Sequence, residues 1–274
     1  MSPTSLSRRH EAGAESARGL LFTVLGEFVL PSGGSAWTSS LIDVLGGLGV
    51  EEKATRQALM RTAASGWLAP QRTGRRTRWT LTGQARTLLT EGTERIYGFT
   101  SVAARWDGRW LLVLARVPET DRRARHALRT RLTWAGFGSP APATWLSAHT
   151  DRLGEAQRIL ADAGVRDAHV FVAEHRGGEL AAMVRQAWDL DTIEAQYERF
   201  LAEFASPSAG DPLARLVEIV HAWRRFPAID PALPAALLPS GWSGVAAAGL
   251  FEQRHAQWAP GAMAAWRALE SGPG

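Results

Sequence analysis

Eight cations stand between Glu51 and Arg86: Lys53, Arg56, Arg61, Arg72, Arg75, Arg76, Arg78 and Arg86. Only Glu51 and Glu52 oppose them, so these 36 residues carry +6 in a chain whose total is +4. The other 238 residues therefore sum to −2. Guanidinium groups gathered on one stretch focus a positive field, and the chemistry that suits such a field is the binding of a polyanion. The plainer alternative is a solubilised surface in a protein from an arginine-rich genome. Gln57 adds a side chain that can both donate and accept, the property needed to read a base edge.

A second group lies in "LVEIVHAWRRFPAIDPALPAALLPSGW", where His221, Trp223, Arg224, Arg225 and Trp242 crowd a helix end and the proline-rich wrap after it. An arginine pair beside aromatic rings can clamp a phosphorylated or carboxylated ligand that bears an aromatic or acyl group. The structural alternative has Arg224 or Arg225 pairing Asp230, with Trp242 in the core. An enzymatic alternative has the cluster acting on an acyl thioester with His221 as general base, but no credible nucleophile accompanies it.

Other motifs fail on context. Gly136-Phe-Gly138-Ser-Pro-Ala141 fits G-x-G-x-x-A, yet a helix precedes it and prolines follow, the reverse of a dinucleotide-binding turn. Gly241-Trp-Ser243-Gly244 is one residue short of a nucleophile elbow. His169 and His175 fall roughly 20 Å apart on an extended strand, too far to share a metal. The chain has no cysteine, which excludes disulfides and thiolate chemistry. The expectation is no catalytic residue, no metal and no cofactor.

The elements that must position the cations are readable from periodicity. Leu20, Leu21, Val24, Leu25, Phe28 and Val29 make one face of a first helix over 18–30, stopped by "PSGG". A second runs from Thr38 or Ser39 to Leu48. A third starts near Glu51. Its small residues Ala54, Thr55, Ala58, Leu59 and Thr62 fall on one side, with Lys53, Gln57 and Met60 opposite and Arg56 and Arg61 at the flanks. "GWLAPQRTGRRTRWTLT" then changes to a two-residue period around a Thr73-Gly74 turn, a hairpin. Three helices closed by a hairpin predict a winged helix-turn-helix. The third helix would enter a major groove and the arginines of the hairpin would hold the phosphate backbone. The alternative is the same fold used only for protein contacts.

Further on, a short helix over Thr82–Thr90 is followed by a buried strand from Trp110 to Val117 and a helix over "DRRARHALRTRLTWAGF" with Ala124, Leu128, Leu132 and Trp134-Ala135 inward. Its outward Arg122, Arg125 and Arg129 read as a solvated face. Then come strand "ATWLSA", helix "DRLGEAQRILADAG" and strand "AHVFVAE", the pattern of a small ferredoxin-like α+β unit. From Glu179 the chain reads as helical: Leu180–Trp188, Thr192–Phe204 and Leu213–Phe226, then the wrap and a last helix from Val245 to about Gln257. No apolar run reaches the ~18 residues of a membrane span, and the polar first sixteen residues lack the apolar core of a signal peptide. These predict a cytoplasmic protein without a membrane partner.

The blocks from Ala17 to Arg86, from "RIYGF" and "WDGRWLLVLARVPE" to "ATWLS", and from "VEIVHAWRRF" to "LLPSGW" resemble, in that order, the three domains of the PaaX family of bacterial transcriptional repressors. The resemblance covers about Ala17 to Leu250. It implies a homodimeric regulator that binds a double-stranded operator and releases it when an aryl-acetyl coenzyme A thioester binds; familiar members control phenylacetate catabolism. The middle block is also similar to the CRISPR adaptation nucleases, whose metal chemistry uses an aspartate at the end of the first strand. Here that place reads Leu114-Ala-Arg116-Val-Pro118-Glu119, which implies no nuclease activity.

The whole is expected as α+β: a disordered leader over 1–16, a winged helix-turn-helix over 17–92, a ferredoxin-like middle domain over 93–178 and a mostly helical C-terminal domain over 179–274. The expected DNA-binding residues are Lys53, Arg56, Gln57, Arg61, Arg72, Arg75, Arg76 and Arg78. The expected effector-binding residues are His221, Trp223, Arg224, Arg225 and Trp242.

Overall fold

The structure, a computed structural model, describes residues 17–99, 106–206 and 210–272. The leader expected over 1–16 lies outside the described residues. Two compact units form, and neither is a continuous stretch of chain. One takes the described residues of 1–100, 203–223 and 248–274; the other takes those of 101–202 and 224–247.

In the first unit, helix α1 covers residues 17–24 and continues as a π turn over Leu25–Val29, with the Leu30 amide donating to the Leu25 carbonyl at 2.9 Å. Strand β1 (Ser35–Trp37), helices α2 (Thr38–Gly47) and α3 (Glu52–Ala64), and the hairpin β2 (Leu68–Thr73) and β3 (Arg76–Leu81) follow. The three strands form an antiparallel sheet in the order β1-β3-β2. Sequence periodicity misses β1, because three residues cannot show a period. The turn before it needs glycine. Gly34 has φ +80°, and a Cβ there would strike the guanidinium of Arg86, which donates to the Gly33 carbonyl at 2.9 Å.

Helix α4 runs over Gly83–Gly98, well past the expected end at Thr90. Thr82 caps it by accepting the Ala85 amide, and Gly92 is carried inside the helix because residues beyond it pack. Tyr97 lies 5.8 Å from Phe251, ring to ring. The last helix, α11 (Ser243–Ser271), likewise continues through Pro260 instead of stopping near Gln257. Proline there forfeits one backbone hydrogen bond, but Trp258, Ala262 and Trp266 beyond the expected end are all buried. Trp266 stacks on Phe28 of α1 at 5.6 Å. Helix α9 (Pro212–Trp223) contributes Leu216, Val217, Val220 and Trp223 to the same core, and Trp223 stacks on Phe251 at 4.8 Å. Burial of these large rings outweighs the local breaker signals.

The second unit is built on strand β4 (Arg109–Ala115), helix α5 (Arg122–Trp134), strands β5 (Gly138–Ala141) and β6 (Thr144–Ser147), helix α6 (Leu153–Asp162) and strand β7 (Ala168–Glu174). The antiparallel sheet has the order β5-β6-β4-β7. Counted within the unit that is 2-3-1-4, the ferredoxin-like arrangement. Leu111, Val113 and Ala115 on one sheet face pack on Leu128 and Leu132 of α5 and on Ile159 and Leu160 of α6. Trp134, expected inward, is 60% exposed; two residues past Leu132 a helix has turned about 200°, which sends it outward. Strand β5 was also invisible in the sequence, since "GSPA" carries no strand-forming residue. Gly138 there lies against the Trp188 ring, where a Cβ would clash. The rejected glycine motif is thus a helix end and a strand.

Helices α7 (Leu180–Ala187) and α8 (Leu190–Phe204) and the short α10 (Phe226–Ile229) follow. In this unit Tyr197 stacks on Phe226 at 4.1 Å. Among the described residues no helix is long and apolar enough to cross a membrane. The chain is α+β, as expected.

Candidate nucleic-acid interface

Helix α3 separates its two faces cleanly. Thr55, Ala58, Leu59 and Thr62 are buried, and the Thr62 hydroxyl donates to the Ala58 carbonyl at 2.7 Å. Lys53, Arg56, Gln57, Met60 and Arg61 are exposed. Glu52 is exposed with them in the first turn of the helix. The helix ends in a Schellman motif: the Gly66 amide donates to the Ala63 carbonyl and the Trp67 amide to the Thr62 carbonyl, with Gly66 at φ +77°. The chain is thereby turned straight into β2. Arg56 is not idle, since Glu52 one turn earlier holds it at 2.7 Å. Both side chains are exposed, so the pair is weak and open to exchange.

The hairpin joins at a two-residue turn, Gly74-Arg75, between the paired Thr73 and Arg76. Gly74, at φ +63°, fills the position that a type II′ turn reserves for glycine. Arg72 and Arg75 are exposed. Arg76 and Arg78 are differently placed. Both point to the face of β3 that carries Trp37, directly opposite Arg78 on β1. The guanidinium carbons lie 4.1 Å and 5.2 Å from the Trp37 ring centre. Arg78 also comes within 3.7 Å of the largely buried Glu270 carboxylate, whose other oxygen accepts the Trp37 amide at 3.0 Å. On the opposite face Trp79 is buried, its indole N–H donating to the Thr38 hydroxyl at 2.9 Å. Neither Trp37 nor Glu270 was anticipated. Their only sequence signal is the alternation of β3, which says that Arg76 and Arg78 share a face but not what covers it.

The five residues of the C-terminal cluster divide between the units. In the first, His221 Nδ1 is hydrogen-bonded to the Thr23 hydroxyl at 3.1 Å. Trp223 is fully buried, its indole N–H reaching the Ile96 carbonyl at 3.4 Å. In the second, Arg224 is half-buried, and loss of hydration pulls its guanidinium below the usual arginine range. Arg225 is exposed and sits 5.5 Å over the Phe226 ring. Trp242 meets Tyr197 edge to face at 5.8 Å. Asp230 does not pair with either arginine in the way the structural alternative has it. Its carboxylate accepts the Tyr197 phenol at 2.6 Å and the Ala232 amide at 2.7 Å, and burial raises its pKa. Burial, with Asp230 beside it, also raises that of the Tyr197 phenol.

Sequence reasoning missed a polar cluster in the first unit. Tyr97 donates to Glu27 at 2.7 Å, and His255 Nε2 lies 2.9 Å from the same phenol and 3.4 Å from Glu27. Three residues drawn from α1, α4 and α11 share no local pattern, so no spacing could announce them. Among the described residues no group of three histidine, aspartate or glutamate side chains could hold a metal ion.

A basic outer face on α3 and exposed arginines at the hairpin tip suit a protein that binds a polyanion such as nucleic acid. Comparison with known proteins agrees. The family models described as PaaX-like protein, PaaX protein central Cas2-like domain and PaaX-like protein C-terminal domain match residues 16–85, 103–184 and 188–268. The Transcriptional repressor PaaX of Escherichia coli (strain K12) is 33% identical over 266 residues, which cover 91% of this chain and 82% of that protein. The chain belongs to the PaaX family. The solved structure of the uncharacterized protein Rv0674 from Mycobacterium tuberculosis superposes with a TM-score of 0.62 at 24% identity, over 85% of this chain and 91% of that one, a likeness of fold.

Proposed function

We propose that this protein is a transcriptional repressor, not an enzyme, that binds a double-stranded operator as a homodimer. Helix α3 lies in the major groove, with Gln57 and Lys53 toward base edges and Arg56 and Arg61 toward the phosphate walls. Arg72 and Arg75 hold the adjacent backbone, and Arg76 and Arg78 stiffen the wing against Trp37 while adding to its field. The observation that carries this reading is the exposed basic face of α3 together with the exposed arginines at the tip of the hairpin that follows it. The repressor named among its relatives supports it. An acyl- or aryl-acyl coenzyme A effector then releases the operator. Arg224 and Arg225 are cations suited to its phosphates, and Trp242 is suited to its acyl or aryl end.

The experiment is a gel shift with the DNA upstream of the protein's own gene, at low salt, with and without aryl-acetyl coenzyme A. The reading expects a retarded duplex that the thioester frees, and a higher thioester requirement for Arg224→Ala and Arg225→Ala. An unretarded duplex contradicts the operator; retardation indifferent to every acyl thioester tried contradicts the effector.

A further inference from the structure

The outer face of α3 has an internal order that charge alone does not explain. Lys53, Gln57 and Met60 follow the i, i+4, i+7 spacing and form its central ridge, with Arg56 and Arg61 on either side. A helix laid in a major groove turns its ridge to the floor and its flanks to the two phosphate walls. Charges at the flanks suit the walls. Met60 at the ridge carries no charge and no strong hydrogen-bonding atom, and it is 63% exposed. It faces away from Thr55, Ala58 and Leu59, which fill the helix's internal contact on the other side.

The groove floor offers one apolar group, the C5-methyl of thymine. Gln57 matches adenine, whose N6 and N7 it can bond together. Gln57 and Met60 stand three positions apart, about 4.5 Å along the helix axis, close to the ~3.4 Å rise between base pairs. The two side chains therefore address neighbouring pairs. We propose that Met60 reads the methyl group of a thymine in the base pair next to an adenine read by Gln57, so that each operator half-site carries an A/T step beneath this part of α3. The inference rests on the operator reading given above and specifies part of its sequence.

The test enriches duplexes bound by the full-length protein from a randomised pool, then replaces each thymine of the enriched duplex in turn by deoxyuridine, which pairs alike but lacks the methyl. Wild-type protein is expected to bind about three- to fivefold more weakly at one thymine per half-site, the effect of one buried methyl. Met60→Ala is expected to bind both versions equally and to keep its response elsewhere. At the neighbouring pair, 7-deaza-adenine should weaken the wild type and leave Gln57→Ala unmoved. Insensitivity to every deoxyuridine replacement, or an equal loss in Met60→Ala, overturns the inference while leaving the operator intact. Failure to enrich any duplex overturns the operator reading and the inference with it. Met60 is exposed, so its replacement leaves the fold in place.

Discussion

Arg75 and Arg78 stand three positions apart on one hairpin and keep different company. Arg75 is exposed at the turn, while Arg78 lies over Trp37 and beside Glu270. Removing Arg72 and Arg75 together by alanine substitution should weaken binding to all duplexes alike. A salt titration should show the slope of log K against log salt shallower by about 3.6 for a dimer, from ~0.9 per lost phosphate contact. Trp37→Leu should act on the fold instead. It removes two cation–π contacts worth about 0.5–1 kcal/mol each, read as a lower urea midpoint with a nearly unchanged salt slope. In the second unit, His149 Nε2 lies 2.8 Å from the Ala232 carbonyl, and burial, then the nearby Arg152, depresses its pKa below the ordinary 6.5. The folded protein then takes up the imidazole proton at lower pH than the unfolded chain does. Stability therefore falls as pH drops below about 6.5 toward the depressed value, and rises again on return to neutrality. His149→Gln keeps a donor for Ala232 without that titration. Melting temperatures across pH 5 to 7.5 (roughly the imidazole window) should decline less steeply for the variant.

At the scale of elements, the faces of α3 were legible because thirteen residues give the 3.6 period room to show. The hairpin was legible because glycine marks its turn and arginine alternates with threonine and tryptophan. Strands β1 and β5 were not, being too short or too poor in strand formers, and pairing with neighbouring strands alone defines them. Helix ends were misread at α4 and α11 for a single reason: Gly92 and Pro260 are local stop signals, and large rings buried beyond them override the stops. The C-terminal helix thereby becomes part of the core of the first unit, with Trp266 on Phe28 and Phe251 on Trp223. Trp266→Ala, which removes the ring stacked on Phe28, should cost about 3–5 kcal/mol. Denaturant unfolding should register that loss, and duplex binding should fall with it, although Trp266 is far along the chain from any cation of α3.

For the whole molecule, chain order and spatial grouping diverge. Sequence reading follows the order and finds three blocks; contacts join residues of 203–223 and 248–274 to the N-terminal helices. Such long-range grouping leaves no periodic trace, and for that reason the partners of His221, Trp223 and Arg78, and the full burial of Trp223, were out of reach. On the candidate DNA face, the outward side of α3 and the exposed turn were legible because they depend on a local helix and a local turn, whereas Arg76 and Arg78, held over Trp37, were not told apart from Arg72 and Arg75. Of the cations on this face, Arg56, Arg61, Arg72 and Arg75 are exposed and are the four the proposal turns to phosphates, the weak exposed pair of Arg56 with Glu52 being open to exchange. Four phosphates neutralised per subunit, doubled by the dimer, give an expected slope near −7. The direct test is a fluorescence titration of full-length protein against its upstream duplex over a range of salt. The account predicts tight binding at low ionic strength that weakens along that slope; a duplex left unbound at low ionic strength, or bound with a slope near zero, would contradict it.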